Sequence, residues 1–91
     1  MFLLQTPNEM AAAAARRFKE IRRVRRVTIK ALSRDSGVPY STIRRFESTG
    51  EISFVSLAKL ASTMGLDDQI NALFADIPPR SIEEVIRANR R

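Results

Sequence analysis

A chain of 91 residues with 44% apolar side chains is long enough for one small hydrophobic core and too apolar to be disordered throughout. It contains neither Cys nor His, which excludes disulfides, thiolate or imidazole metal sites and imidazole acid–base catalysis, so no metal, no cofactor and no enzymatic activity are expected. Sixteen basic against ten acidic residues give a net charge of +6, which favours a polyanionic partner such as DNA, RNA or an acidic protein surface without choosing among them.

The opening MFLLQTP offers Phe2, Leu3 and Leu4 with no basic stretch before them, too little for a secretory signal, and no apolar run approaches the length of a membrane span. A cytoplasmic, nucleoid-associated setting is expected. FLLQ is the one stretch that could pair as a strand. Thr6-Pro7-Asn8-Glu9 is a strong helix start: Thr6 can cap the amide of residue 9, Glu9 can reciprocate, and Pro7 sits where an amide has no partner anyway. The helix it opens runs through AAAAARRFKEIRRVRR. Alanines supply propensity there, and Phe18 and Ile21, with Val24 at the outer end, form a narrow buried stripe in an otherwise basic helix.

Thr28 caps a second helix, IKALSRDS, with Ala31 and Leu32 facing inward, and Gly37 ends it in a left-handed conformation that a β-branched residue could hardly adopt. Val38 packs inward, Pro39 opens a third helix and Gly50 closes it. Ser53 starts a fourth helix, FVSLAKLASTM, in which Leu57, Leu60, Ala61 and Met64 recur at helical spacing, Gly65 is the stop and Leu66 the contact beyond it. Asp67 is the expected cap of a fifth helix, DQINALFA, whose Ile70, Leu73 and Phe74 exceed what a four-helix core needs; with Ile77 they form a candidate dimer surface. Ile77-Pro78-Pro79 breaks the chain, and Ser81-Ile82-Glu83-Glu84 is a second capping box opening a short helix through Val85 and Ile86.

The third helix is unusual. On a 3.6-residue period Tyr40, Ser41, Arg44 and Ser48 share one face, opposite Ile43 and Phe46, and that face holds short polar, aromatic and guanidinium groups but no acid. Two short helices joined around Gly37, the second with such a face, match the helix-turn-helix unit of major-groove readers. A helix about 10–12 Å across fits a groove about 12 Å wide, and residues near its amino end reach base edges. Arg44 can bond a guanine through both nitrogens, Ser41 a base or phosphate, and Tyr40 a thymine methyl or a phosphate.

From about Arg16 to Leu66 the chain resembles the Xre/Cro-type helix-turn-helix repressors, in TIKALSRDSGVPYSTIRRFE followed by ISFVSLAKLASTMGL. Leu32, Gly37, Val38, Ile43, Glu47, Leu57, Ala61 and Leu66 fall where that family places core or turn residues. The resemblance implies that Tyr40, Ser41 and Arg44 read bases, that Arg22 pairs with Glu47 and touches a phosphate, and that Arg25, Arg26, Thr28, Lys30, Arg45 and Ser48 are further phosphate contacts. The chain departs from the family at Ile29, where Gln is usual, at Ser33, where Ala is usual and where the hydroxyl can bond a backbone carbonyl, and in the loop STGE, which is a residue longer and carries Glu51 in place of a basic residue.

The implied fold is all-α: a five-helix Xre/Cro-type domain over residues 1–76, with its core at 16–66 and a dimerisation helix at about 68–76, followed by a short helical tail at 77–91. Size, fifth helix and tail resemble the HipB-type antitoxins, which implies a homodimer on a pseudo-palindromic double-stranded operator and a HipA-like kinase toxin as partner. The alternatives are a stand-alone or phage-type Xre regulator and a protein-interaction adaptor without DNA readout, the latter favoured by Ile29 and Glu51.

Plainer readings stand beside these. The basic run Arg16, Arg17, Lys19, Arg22, Arg23, Arg25 and Arg26 could be a solvated face, and since a helix cannot aim seven radiating cations at one duplex, only Arg22, Arg25 and Arg26 near the turn are favoured. Ile70, Leu73 and Phe74 could complete the monomer core. Asp67 and Asp68 point apart on a helix, and capping accounts for them without a metal or acid–base pair.

Overall fold

Thr6 opens the first helix by the expected reciprocal bonds: its hydroxyl oxygen accepts from the Glu9 amide at 3.1 Å, and Glu9 Oε1 accepts from the Thr6 amide at 2.8 Å. In this computed structural model, which describes residues 4–77 and 82–89, six helices follow in order: α1 (Pro7–Val24), α2 (Ile29–Ser36), α3 (Tyr40–Thr49), α4 (Phe54–Thr63), α5 (Asp67–Asn71) and α6 (Ile82–Asn89). The described residues are all-α, with no strand among them. Leu4 and Gln5 lie outside any strand, and the rest of the FLLQ segment is outside the described residues. No described helix is long and apolar enough to cross a membrane.

The core sits where α1, α2, α3 and α4 meet. Ala15, Phe18, Leu32, Val38, Ile43, Phe46, Leu60 and Met64 are buried together, and Ile21, Val27, Ile29, Ile52, Leu57 and Leu66 close its margins. Phe18 and Phe46 meet edge to face with centroids 5.6 Å apart, an arrangement that sets the positive ring edge against the negative face. The α1–α3 contact is unusually close at Gly50. This residue is left-handed at φ +87, and a methyl placed on it would lie 2.6 Å from the Ala11 carbonyl carbon. Small residues on both sides therefore let the end of α3 rest on the backbone of α1, a second role for the alanine run beyond helix propensity.

Three expectations are corrected. The first helix ends at Val24 instead of continuing to Arg26, because the chain turns there: the Arg25 and Val27 amides bond back to Ile21 and Arg22, and Arg26 is left-handed at φ +58. Val24 is 70% exposed, since the turn carries it past the edge of the core. Asp67 does not cap α5. Leu66 occupies the cap position, its own amide is bonded to the Ala61 carbonyl at 2.7 Å, and Asp67 falls in the first turn, where a carboxylate still suits the helix dipole.

The fifth helix is also shorter than the expected 68–75, and the dimerisation helix of about 68–76 is cut back to Asp67–Asn71. With no buried residue in α5 to hold further turns, the chain passes through a turn to Phe74, left-handed at φ +60. Beyond Ile77, the expected tail helix is present as α6; the capping role of Ser81 lies outside the described residues.

Candidate nucleic-acid interface

The geometry of α2 and α3 comes from the three residues between them. Thr28 caps α2 by accepting from the Ala31 amide at 3.0 Å, and Gly37 ends it at φ +78 with its amide bonded to the Ser33 carbonyl. Ser36 Oγ then accepts from the Val38 amide at 3.1 Å, and Ser33 Oγ donates to the Val38 carbonyl at 2.6 Å. The Val38 side chain is buried, so both its backbone groups are satisfied by serines while its isopropyl group anchors the turn. Ser33 thus does use its hydroxyl on a backbone carbonyl. Pro39 takes the cap position of α3 and offers no side-chain acceptor to the first-turn amides.

The α3 register is fixed from beneath. Ile43, Phe46 and Glu47 are buried, which turns Tyr40, Ser41, Arg44, Arg45 and Ser48 outward, where they line one open groove of about 470 Å³. Tyr40 is 47% exposed, with its ring partly on the protein and partly in solvent. Arg44 has no carboxylate within ion-pair distance among the described residues. Arg45 differs. Its Nε and Nη2 both donate to Glu51 Oε1, at 2.9 and 2.5 Å, across an exposed surface.

Arg22 is 9% exposed and lies under this face. Its Nε and Nη2 donate to the two Glu47 carboxylate oxygens at 2.7 and 2.9 Å, and Nη1 donates to the Val27 carbonyl at 2.8 Å. The hydrogen bonds to Glu47 raise the Arg22 pKa above its usual value, opposed by burial and supported by the charge of Glu47 and the proximity of Tyr40. A guanidinium has five N–H groups, so two remain for a further acceptor.

The other expected phosphate contacts are dispersed. Arg25 directs Nη1 to the Met64 carbonyl at the end of α4, Arg26 projects from the turn after α1, and Thr28 and Lys30 stand exposed at the start of α2. Ser48 Oγ donates to the Arg45 carbonyl at 3.2 Å. Ile29, where the resembled family has Gln, is half-buried against the core and offers no polar group.

Leu73, Phe74 and Ile77 are exposed and Ile70 is half-buried, so among the described residues this cluster is not enclosed in the core. Ile70, Leu73 and Phe74 join Phe54 around a second groove of about 480 Å³, lined almost wholly by carbon. Sequence reasoning missed three features: the share of Phe54 in this groove, the Arg45–Glu51 pair, and the bond from Arg25 to α4. Only for Phe54 was there a signal, since it lies one turn before Leu57 at the edge of the α4 stripe. No family model, curated protein or solved structure matches the chain.

Proposed function

We propose that this chain is a sequence-specific DNA-binding transcriptional repressor of the Xre/Cro helix-turn-helix type, acting as a homodimer on a pseudo-palindromic operator. One observation carries this reading: the outward face of α3 presents Tyr40, Ser41, Arg44 and Ser48 without an acid among them, from a helix locked below by Ile43, Phe46 and Glu47. In this reading α3 enters the major groove, Arg44 takes a guanine through two nitrogens, Ser41 and Tyr40 meet neighbouring base edges, and Arg26, Thr28, Lys30 and Ser48 hold flanking phosphates. In the same reading the two spare N–H groups of Arg22 take one further phosphate oxygen. Two such faces about 34 Å apart would read successive turns of one side of the duplex.

Within this class, the resemblance of the segment after residue 76 favours a HipB-like antitoxin that represses its own operon from the nucleoid and binds a HipA-like kinase. That assignment rests on the resemblance alone, and an adjacent kinase-like reading frame would support it. An adaptor without DNA readout is the second reading, favoured by the clamped Arg45 and by Ile29 packed inward.

Gel shift on the upstream DNA separates the two. Arg44→Ala should cost about 1–3 kcal/mol on the specific site and relax one base position. Affinity should also fall steeply with salt, because bound cations displace condensed counterions. An adaptor would give no specific shift with the unmodified chain.

A further inference from the structure

The groove of Phe54, Ile70, Leu73 and Phe74 is uncovered, and Phe74 is 91% exposed. The sequence carries a second apolar stripe in the same polypeptide. In sequence, Ile82, Val85 and Ile86 are spaced i, i+3 and i+4 within α6, so they share one side of that helix. Among the described residues α6 touches no other helix of its chain, and Ile86 is 47% exposed. An open apolar groove and an apolar helical stripe on one chain are the ingredients of exchange between copies.

Charge points the same way. From Leu60 to Pro79 the sequence has Asp67, Asp68 and Asp76 and no basic residue, although the chain as a whole is strongly basic. From Arg80 to Arg91 it has Arg80, Arg87, Arg90 and Arg91 against Glu83 and Glu84. The tail is thus net basic, and the segment that supplies Ile70, Leu73 and Phe74 to the groove is acidic. Folding back within one chain is disfavoured by the short connection, since the groove residues Leu73 and Phe74 lie only a few residues upstream of Ile82 and Pro78 favours extended backbone at Ile77.

We infer that α6 of each copy docks in the Phe54–Phe74 groove of a second copy, so that the pair is held by exchanged C-terminal helices. Two-fold symmetry makes the contact twice, and exchange of an identical element is a low-cost route to a dimer. The inference rests on the dimer of the proposed function and adds which segment supplies the partner surface.

The chain has no native Cys, which makes disulfide trapping clean. Full-length Phe74→Cys and full-length Ile86→Cys are mixed, allowed to exchange and mildly oxidised. The expected product is a disulfide-linked pair joining one variant to the other, several-fold more abundant than either variant linked to itself. Predominant Phe74→Cys self-linkage would mean that groove faces groove, overturning the exchange while leaving a dimeric repressor intact. A double variant that closes its disulfide within one chain, giving monomeric mass on a denaturing gel, would mean fold-back and also overturn it.

Light scattering on the unmodified chain provides the broader check, because a monomer at micromolar concentration would sink both the exchange and the dimeric form of the proposed function. A mixed disulfide in a chain that gives no specific gel shift would support the exchange and remove the DNA reading. Ile86→Glu supplies a second probe: it should convert the dimer to monomer without changing the helical circular dichroism of α1–α4. A dimer that survives this change would count against the docking.

Discussion

Arg22 and Glu47 form a two-pronged ion pair across 25 residues of sequence, at 2.7 and 2.9 Å, in a region where the carboxylate side chain is almost fully enclosed. The pair ties the last turn of α1 to the buried side of α3 directly beneath the exposed face. Its third bond, from Arg22 Nη1 to the Val27 carbonyl, adds the turn that leads into α2. One side chain therefore sets the mutual position of three helices. Replacing such a pair by apolar groups is often neutral for stability, so its consequence here is geometric.

Glu47→Ala should strand a buried guanidinium and cost about 3–5 kcal/mol, a large share of the stability of a small domain. The double variant Arg22→Met/Glu47→Leu should recover most of that loss in urea or thermal unfolding. DNA affinity should recover much less, because the spare N–H groups of Arg22 go with it. Equal recovery of both properties would mean that the pair has no part in binding.

Gly50 gives a sharper packing test. Gly50→Ala must pay for a left-handed conformation, about 1–2 kcal/mol, and also for overlap with the Ala11 backbone, about 1–3 kcal/mol more, since backbone cannot swing aside as a side chain can. Gly37→Ala meets nothing within 4 Å and should show only the first of these costs. The ordering of the two melting temperatures checks the contact, and a Gly50→Ala protein as stable as Gly37→Ala would contradict it.

These two contacts also mark how much could be read without coordinates. The caps at Thr6, Thr28 and Ser53 were legible because each is a local bond within three residues, and the inward set Leu32, Ile43 and Leu60 because burial repeats with the helix. The outward face of α3 was legible as the complement of Ile43 and Phe46. Gly50 against Ala11 was not, because nothing in either segment encodes the approach of the other. The early end of α5 escaped for the opposite reason: DQINALFA has helical spacing, but none of the α5 residues is buried to hold a longer helix. Arg45 looked like Arg44 until the path of the loop after Gly50 placed Glu51 beside it.

Ser33→Ala tests the turn itself. It installs the smaller residue usual in the resembled family but leaves the Val38 carbonyl without the 2.6 Å hydroxyl bond, in a residue that is otherwise buried. The cost should be about 1–3 kcal/mol if the carbonyl finds no other donor. Hydrogen exchange should show the Val38 amide opening faster, while amides in α4 keep their protection. A uniform increase across all helices would indicate that the bond holds no particular part of the fold.

The Arg45–Glu51 pair yields the prediction with the most direct bearing on binding. Both side chains are exposed, so the pair contributes little to stability, on the order of 0–1 kcal/mol. Its effect on a polyanion is larger, because Glu51 occupies the guanidinium and places a negative charge at the edge of the α3 groove. Glu51→Gln should leave the melting temperature within a few degrees, tighten DNA binding and steepen the dependence of log affinity on log salt by about one, the increment for one added phosphate contact. Arg45→Ala in that background should return the slope to its starting value. If Glu51→Gln leaves the slope unchanged, Arg45 does not reach a phosphate, and the contact set contracts to Arg44 and the residues flanking α2.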